Sequence, residues 1–216
     1  RKETIFFYIY ILFLFSLLYK NTKFTFFIII FLIPLMNLIW DGIIFYLFFF
    51  IFSYMHHKKN LKMKELIYFI ISFIPYLVSF YFIIITKATQ ESLILMCSAL
   101  GEPCFGAMSF LDQPLKNNIN YGVSRFKLEY LIRHLLIFLF CFFPIIYILF
   151  KDKKKNNFFY HYLICVIPTF IFFYIAWDWG RYLNILYIFS MLTLIFLIKN
   201  NAIDTSKNSL NKFLVK

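Results

Sequence analysis

Hydrophobic positions in this chain come as long continuous runs, without the alternation of a half-buried strand or the narrow stripe of a soluble amphipathic helix. The runs cover 4–19, 24–55, 66–85, 130–150 and 158–198. A helix needs about 20 apolar residues, at 1.5 Å rise each, to cross a hydrocarbon core of about 30 Å. The second run, about 32 residues, and the last, about 41, are too long for one span. Each is interrupted once, by Trp40-Asp41-Gly42 and by Trp177-Asp178-Trp179-Gly180-Arg181. An Asp at mid-bilayer costs roughly 2.5–3.5 kcal/mol on insertion scales, and Trp is favoured at the interface. Splitting both runs there predicts seven spans. The second and third, about 24–39 and 43–57, are short enough to form a hairpin that does not cross fully. Six spans, with 24–55 unbroken, is the second choice.

Charge placement discriminates between these counts. Seven spans put 20–23, 56–64, 151–157 and the tail after Ile198 on one side. Those segments carry Lys20, Lys23, Lys58, Lys59, Lys62, Lys64, Lys151, Lys153, Lys154, Lys155, Lys199, Lys207, Lys212 and Lys216. Short loops rich in lysine stay cytoplasmic, so the alternation is self-consistent. An unbroken 24–55 would put Lys20 and Lys23 opposite His56-His57-Lys58-Lys59.

Composition agrees. Of 216 residues, 62% are hydrophobic, 24% aromatic and 15% charged. Soluble domains hold roughly 45–50% apolar and about 25% charged residues. Disordered, collagenous and disulfide-rich secreted classes are excluded by the same figures. The 33 Phe and 16 Tyr match what an AT-rich genome encodes, so aromatic abundance alone says little about ligands. A net charge of +12 raises the question of nucleic acid, but Lys153-Lys154-Lys155 sits between two apolar runs and reads as a topology determinant. The expected architecture is an all-α polytopic membrane helical bundle. It forms a single integral membrane domain over 1–216, with an outer loop at about 86–128 and a cytoplasmic tail at about 199–216. The start at Arg1, without Met, reads as part of a longer chain.

With this topology the unusual polar features collect on the outer face. Asp41-Gly42 is a common turn dipeptide and reads first as a turn. Asp178 and Arg181, three residues apart, can share a helix face. They read equally as a structural ion pair or as a site, because an Arg fork donates bidentate bonds to phosphate and charges near spans mark function. The long loop brings Glu91, Glu102, Asp112, Lys116 and Arg125, with Leu93 to Met96 apolar enough to pack on the membrane. Cys97 and Cys104 share that loop, and a disulfide between them suits an oxidising compartment. No metal site is expected, since the loop has no His and two thiols do not close a zinc site. Cys141 and Cys165 read as buried hydrophobes, His56 and His57 as solvated, and His134 and His161 as isolated near span ends. Glu129 and Arg133 read as a structural i,i+4 pair. Nucleotide-binding, HExxH and GxSxG motifs are absent, and no cofactor is expected.

The segments Phe105-Gly106-Ala107-Met108-Ser109-Phe110-Leu111-Asp112-Gln113 and Ile175-Ala176-Trp177-Asp178-Trp179-Gly180-Arg181-Tyr182 resemble parts of polytopic bacterial proteins of the O-antigen polymerase type and related surface-polysaccharide families. The resemblance covers the C-terminal half, and this chain is shorter than such proteins. It implies outward Arg and acidic residues acting on undecaprenyl-diphosphate-linked sugars, with phosphate binding by Arg181 and Arg125. The candidate catalytic carboxylates are then Asp178 and Asp41, and the substrate-binding set is Arg181, Arg125, Glu102 and Asp112. The expected partners are the lipid bilayer of the inner (plasma) membrane and a polyprenyl-phosphate-linked glycan, with glycan polymerase or lipid-linked glycosyltransferase as the activity. The alternative is a transporter or a non-catalytic membrane component. Mid-span segments almost free of charge, and no visible repeat, weigh against transport.

Overall fold

The computed structural model describes residues 2–38, 41–57, 61–85, 89–100, 120, 124, 127–151, 157–175 and 179–203. Among the described residues every regular element is helical. Helix α1 (Lys2–Leu18) is followed by α2 (Thr22–Phe27), a π-helical stretch (Ile28–Leu32) and α3 (Ile33–Asn37). These last three form one continuous rod. Pro34 lies just after the widened stretch, where its missing N–H cannot complete a regular α-helical ladder. A 3-10 stretch (Asp41–Tyr46) leads into α4 (Leu47–His57). Next come α5 (Met63–Ile71) and α6 (Ile74–Ile85), with Pro75 in the first turn of α6, where a missing N–H costs least. Helix α7 (Gln90–Leu100) lies within the stretch expected to be a loop, so Leu93 to Met96 are helical. Helices α8 (Leu128–Lys151), α9 (Asn157–Ile175) and α10 (Trp179–Lys199) complete the described elements.

Three stretches, Met63–Ile83, Leu128–Leu149 and Trp179–Lys199, are long and apolar enough to cross a membrane. Glu3–Leu18, Thr22–Asn37, Gly42–His57 and Phe158–Phe170 are apolar but shorter. The sixteen-residue rods are about 24 Å long, against a core of about 30 Å.

Contacts fix the direction of each rod. Asn200 Nδ2 donates to the carbonyls of His56 at 2.9 Å and His57 at 3.0 Å, so α4 and α10 end together. At the other end Tyr46 Oη donates to the Tyr182 carbonyl at 3.3 Å. Glu3 meets Arg181, and His134 packs on Trp179. Helices α1, α4, α8 and α10 therefore run the same way. Helix α9 runs against them, since His161 near its start meets His56. The 22–37 rod and the α5–α6 rod are also reversed: Tyr54 stacks on Phe69, and Asn37 Nδ2 donates to Ser79 Oγ at 3.0 Å. Lys20, Lys64 and Lys199 consequently lie at one end of the bundle.

The core is aromatic. The Phe189 ring centroid lies 4.4 Å from Tyr10, 4.9 Å from Phe6 and 5.6 Å from Phe49. Between helices in lipid, packing and polar contacts replace the hydrophobic effect as the force for association. Offset or edge-on ring pairs, each worth about 0.5–1.5 kcal/mol beyond burial, give this sequence its means of holding rods together. Leu135, Leu139, Phe140 and Phe143 on α8 point outward and are exposed, as suits a lipid-facing surface.

Candidate functional site

At the end opposite Lys20, Lys64 and Lys199, the first turn of α10 meets the first turn of α1. Arg181 Nη1 lies 3.5 Å from Glu3 Oε1, with the Arg side chain 50% exposed and the Glu side chain 11%. A carboxylate in the first turn of a helix is favoured by the helix dipole, but nearly buried it also needs a cation. Arg181 supplies one from a helix far away in sequence. Gly180 precedes it, and a Cβ placed there would meet nothing within 4 Å. Among the described residues, the space beside the Gly180 backbone is open. Trp179 is half-buried against His134, edge to face at 5.4 Å between ring centroids. The His134 ring is itself tied at 2.7 Å to the Tyr130 carbonyl. Tyr46, by bonding Tyr182, joins the 41–46 stretch to the same corner. Asp41 opens that stretch.

Of the other residues singled out in sequence, Asp178, Arg125, Glu102, Asp112 and Cys104 lie outside the described residues. Cys97, on α7, is buried and disulfide-bonded. Cys165 is a buried free thiol as expected, whereas Cys141 is exposed on α8, because it falls on the outward face of that helix. Arg133 lies over the Tyr130 ring, 5.3 Å from its centroid. Among the described residues no cluster of three or more His, Cys, Asp or Glu is placed to hold a metal ion.

Three features escaped the sequence reading. Glu3 is a partner of Arg181, and its one visible signal is an acid at the head of an apolar run. The histidines are a correction. His56 and His57 are half-buried instead of solvated, and His56 Nε2 lies 3.1 Å from His161 Nδ1. The cause is α9, which packs across the end of α4 and sets Phe158 against His56 at 4.3 Å. The third is a buried set of hydroxyls at mid-bundle, with Tyr10 Oη 2.8 Å from Ser53 Oγ and 2.7 Å from Thr193 Oγ1.

The chain matches no protein-family model, no curated protein and no solved structure. Its chemistry is therefore read from the corner itself. That corner presents a guanidinium half open to the surroundings, oriented by a carboxylate, beside bare backbone at Gly180. Chemically, a planar guanidinium fork is suited to oxyanions such as carboxylate or phosphate.

Proposed function

We propose that the chain is a multi-pass protein of the bacterial inner (plasma) membrane acting in envelope polysaccharide assembly. In this reading it binds a polyprenyl-diphosphate-linked sugar at its outer face, as a glycan polymerase or lipid-linked glycosyltransferase. All seven rods cross the bilayer, the sixteen-residue ones by local thinning of the lipid, at a cost of fractions of a kcal/mol per Å. The lysine-bearing end is cytoplasmic, which turns the Arg181 corner outward.

The observation that carries the reading is the Arg181–Glu3 pair, half open at that end. Glu3 orients the fork, and the diphosphate of a membrane-embedded lipid carrier presents its charge at the same headgroup depth. From the sequence we assign Arg125, Glu102 and Asp112 to substrate binding in the same reading, with Asp41 and Asp178 as carboxylates for acid–base chemistry. A transporter would line a mid-membrane cavity with polar groups, whereas Tyr10, Ser53 and Thr193 at that level bond to one another.

The test compares Arg181→Lys with Arg181→Ala, reading surface glycan and the amount of protein in the membrane. Phosphate binding predicts that Arg181→Lys, which keeps charge but loses the fork, abolishes glycan at normal protein level. A purely structural pair predicts that Arg181→Lys is tolerated. In that case only Arg181→Ala lowers protein level, by leaving Glu3 buried without a cation. Normal glycan in Arg181→Lys refutes the proposal.

A further inference from the structure

Helices α1 and α10 run side by side in the same direction and leave a groove of about 380 Å³ between them. Ile11, Leu14, Leu18, Leu192 and Ile195 form its apolar walls, and Lys199 stands at its lysine-bearing end. From Ile11 to Leu18, and from Leu192 to Lys199, each wall rises about 10 Å. Half of a hydrocarbon core is about 15 Å. The groove thus covers most of one leaflet's depth and stops where that leaflet's headgroups begin.

The two helices also end alike. Lys20 and Asn201 both adopt left-handed backbone, with φ 55° and 53°. In each case the next N–H reaches back five residues, Asn21 to the Ser16 carbonyl and Ala202 to the Leu197 carbonyl, both at 2.9 Å. This is the Schellman closure, formed twice at one level. It leaves Lys20 exposed in the turn that follows Tyr19, itself part of the groove mouth. A lysine in that position lays its stem along apolar wall and holds its ammonium at headgroup depth.

We propose that this groove holds an anionic phospholipid of the leaflet at the lysine-bearing end, with one acyl chain between α1 and α10 and its phosphate against Lys199. Any lipid tail satisfies the apolar walls. The commitment to an anionic headgroup comes from charge: Lys199 in the lining, Lys20 in the adjoining turn, and no acid among the described lining residues. The inference rests on the membrane-spanning part of the reading above and is independent of the Arg181 corner, which lies at the other end.

The experiment is native mass spectrometry of the full chain, reconstituted with equimolar phosphatidylglycerol and phosphatidylcholine of equal acyl length. Wild type retains phosphatidylglycerol in preference, about fivefold for one favourable lysine contact. Lys199→Gln brings the two lipids near parity, Ile195→Trp fills the groove and lowers retention of both, and Lys64→Gln on α5 leaves the preference intact. Equal retention by wild type overturns the proposal. So does unchanged retention in Ile195→Trp, or a loss in Lys64→Gln equal to that in Lys199→Gln, which would show diffuse charge only. Carbonate washing of membranes separates the two readings: a chain released by carbonate fails as a spanning protein, whereas one that stays and shows no preference fails only here.

Discussion

Tyr10 on α1 and Thr193 on α10 share a hydrogen bond of 2.7 Å at mid-bundle, and its direction follows from proton bookkeeping. The Thr193 hydroxyl donates to the Phe189 carbonyl at 2.7 Å, so it accepts from Tyr10. The phenol proton is then used, with the Phe49 carbonyl a second, longer acceptor at 3.4 Å, and Ser53 Oγ, 2.8 Å away, donates to Tyr10. One ordered chain therefore links α4, α1 and α10. Tyr162 Oη donates to Ser190 Oγ at 2.9 Å and adds α9 in the same way. Where no water reaches, each of these hydroxyls would cost free energy if left alone. Together they fix which rods are neighbours.

Tyr10→Phe removes the middle of that chain without changing the ring that packs on Phe189. Thr193 keeps its own carbonyl acceptor, so the expected loss is about 0.6–1.7 kcal/mol, the range of interhelical hydrogen bonds in membrane proteins. Unfolding in detergent micelles measures it. Combined with Thr193→Val, the double variant should lose less than the sum of the single losses, because both remove the same bond. Strict additivity would refute the ordered chain.

The His56–His161 contact requires one imidazole to accept, so at least one ring is neutral. Asn200 closes the same corner by donating to two carbonyls. Asn200→Asp turns a donor into a charged acceptor facing them and should cost about 1–3 kcal/mol. His161→Ala should cost less, since His56 keeps its packing on Phe158. Limited trypsin digestion at the lysines of 58–64 reads out opening of this corner: cleavage should quicken most in Asn200→Asp. An unchanged rate in both variants would remove the corner's structural role.

Lys20 holds a left-handed conformation that costs an L-residue roughly 1–2 kcal/mol. Lys20→Gly relieves it, partly offset by the greater freedom of glycine in the unfolded chain. The thermal midpoint should hold or rise, while Lys20→Val should lower it, because a β-branched side chain tolerates this region worst. A fall in Lys20→Gly equal to that in Lys20→Val would mean that the lysine side chain, and not the backbone, secures the turn.

The rods were legible where apolar runs met a breaker. Asp41-Gly42 and Trp177 to Arg181 end runs because a carboxylate and a glycine are poor company for hydrocarbon, and helices begin again at Leu47 and Trp179. Arg181 stands out in the sequence for the same reason, as a charge set between two apolar runs. Glu3 as its partner does not, since an ion pair between the first and last described rods is a long-range contact that no local spacing encodes. The histidines depart from expectation because a basic segment suggests solvation, while His56 and His57 still belong to the end of α4. The packing of α9 across the end of α4 depends on how rods associate, and composition is silent on that. The hydroxyl chain was hidden by its chemistry: Tyr, Ser and Thr are common in apolar helices, where Ser and Thr hydroxyls bond back to the helix carbonyls. Position alone does not tell such a residue from one that also bonds across helices.

The proposed function depends on topology, since topology decides which end of the bundle faces outward. Leu18 and Tyr19 border the same groove as Lys199, and Asn200 holds the end of α4. The first turn after α1, the end of α4 and the end of α10 are therefore at one level. If 24–55 crossed the membrane once, Lys58 would sit on the opposite side from Lys20. Two rods of opposite direction in that interval, 22–37 and 42–57, instead bring His57 back to the level of the α1 end. Reporter fusions after Lys58 and after Lys154 should both report cytoplasm, by the lysine excess of their loops, and a fusion after Asn118 should report the exterior. The strongest arm is the pair Lys58 and Asn118, which the α5–α6 rod separates: this rod includes Met63–Ile83, long and apolar enough to span on its own. The same report from both would mean that this rod lies along the membrane and that the Arg181 corner has no assigned side.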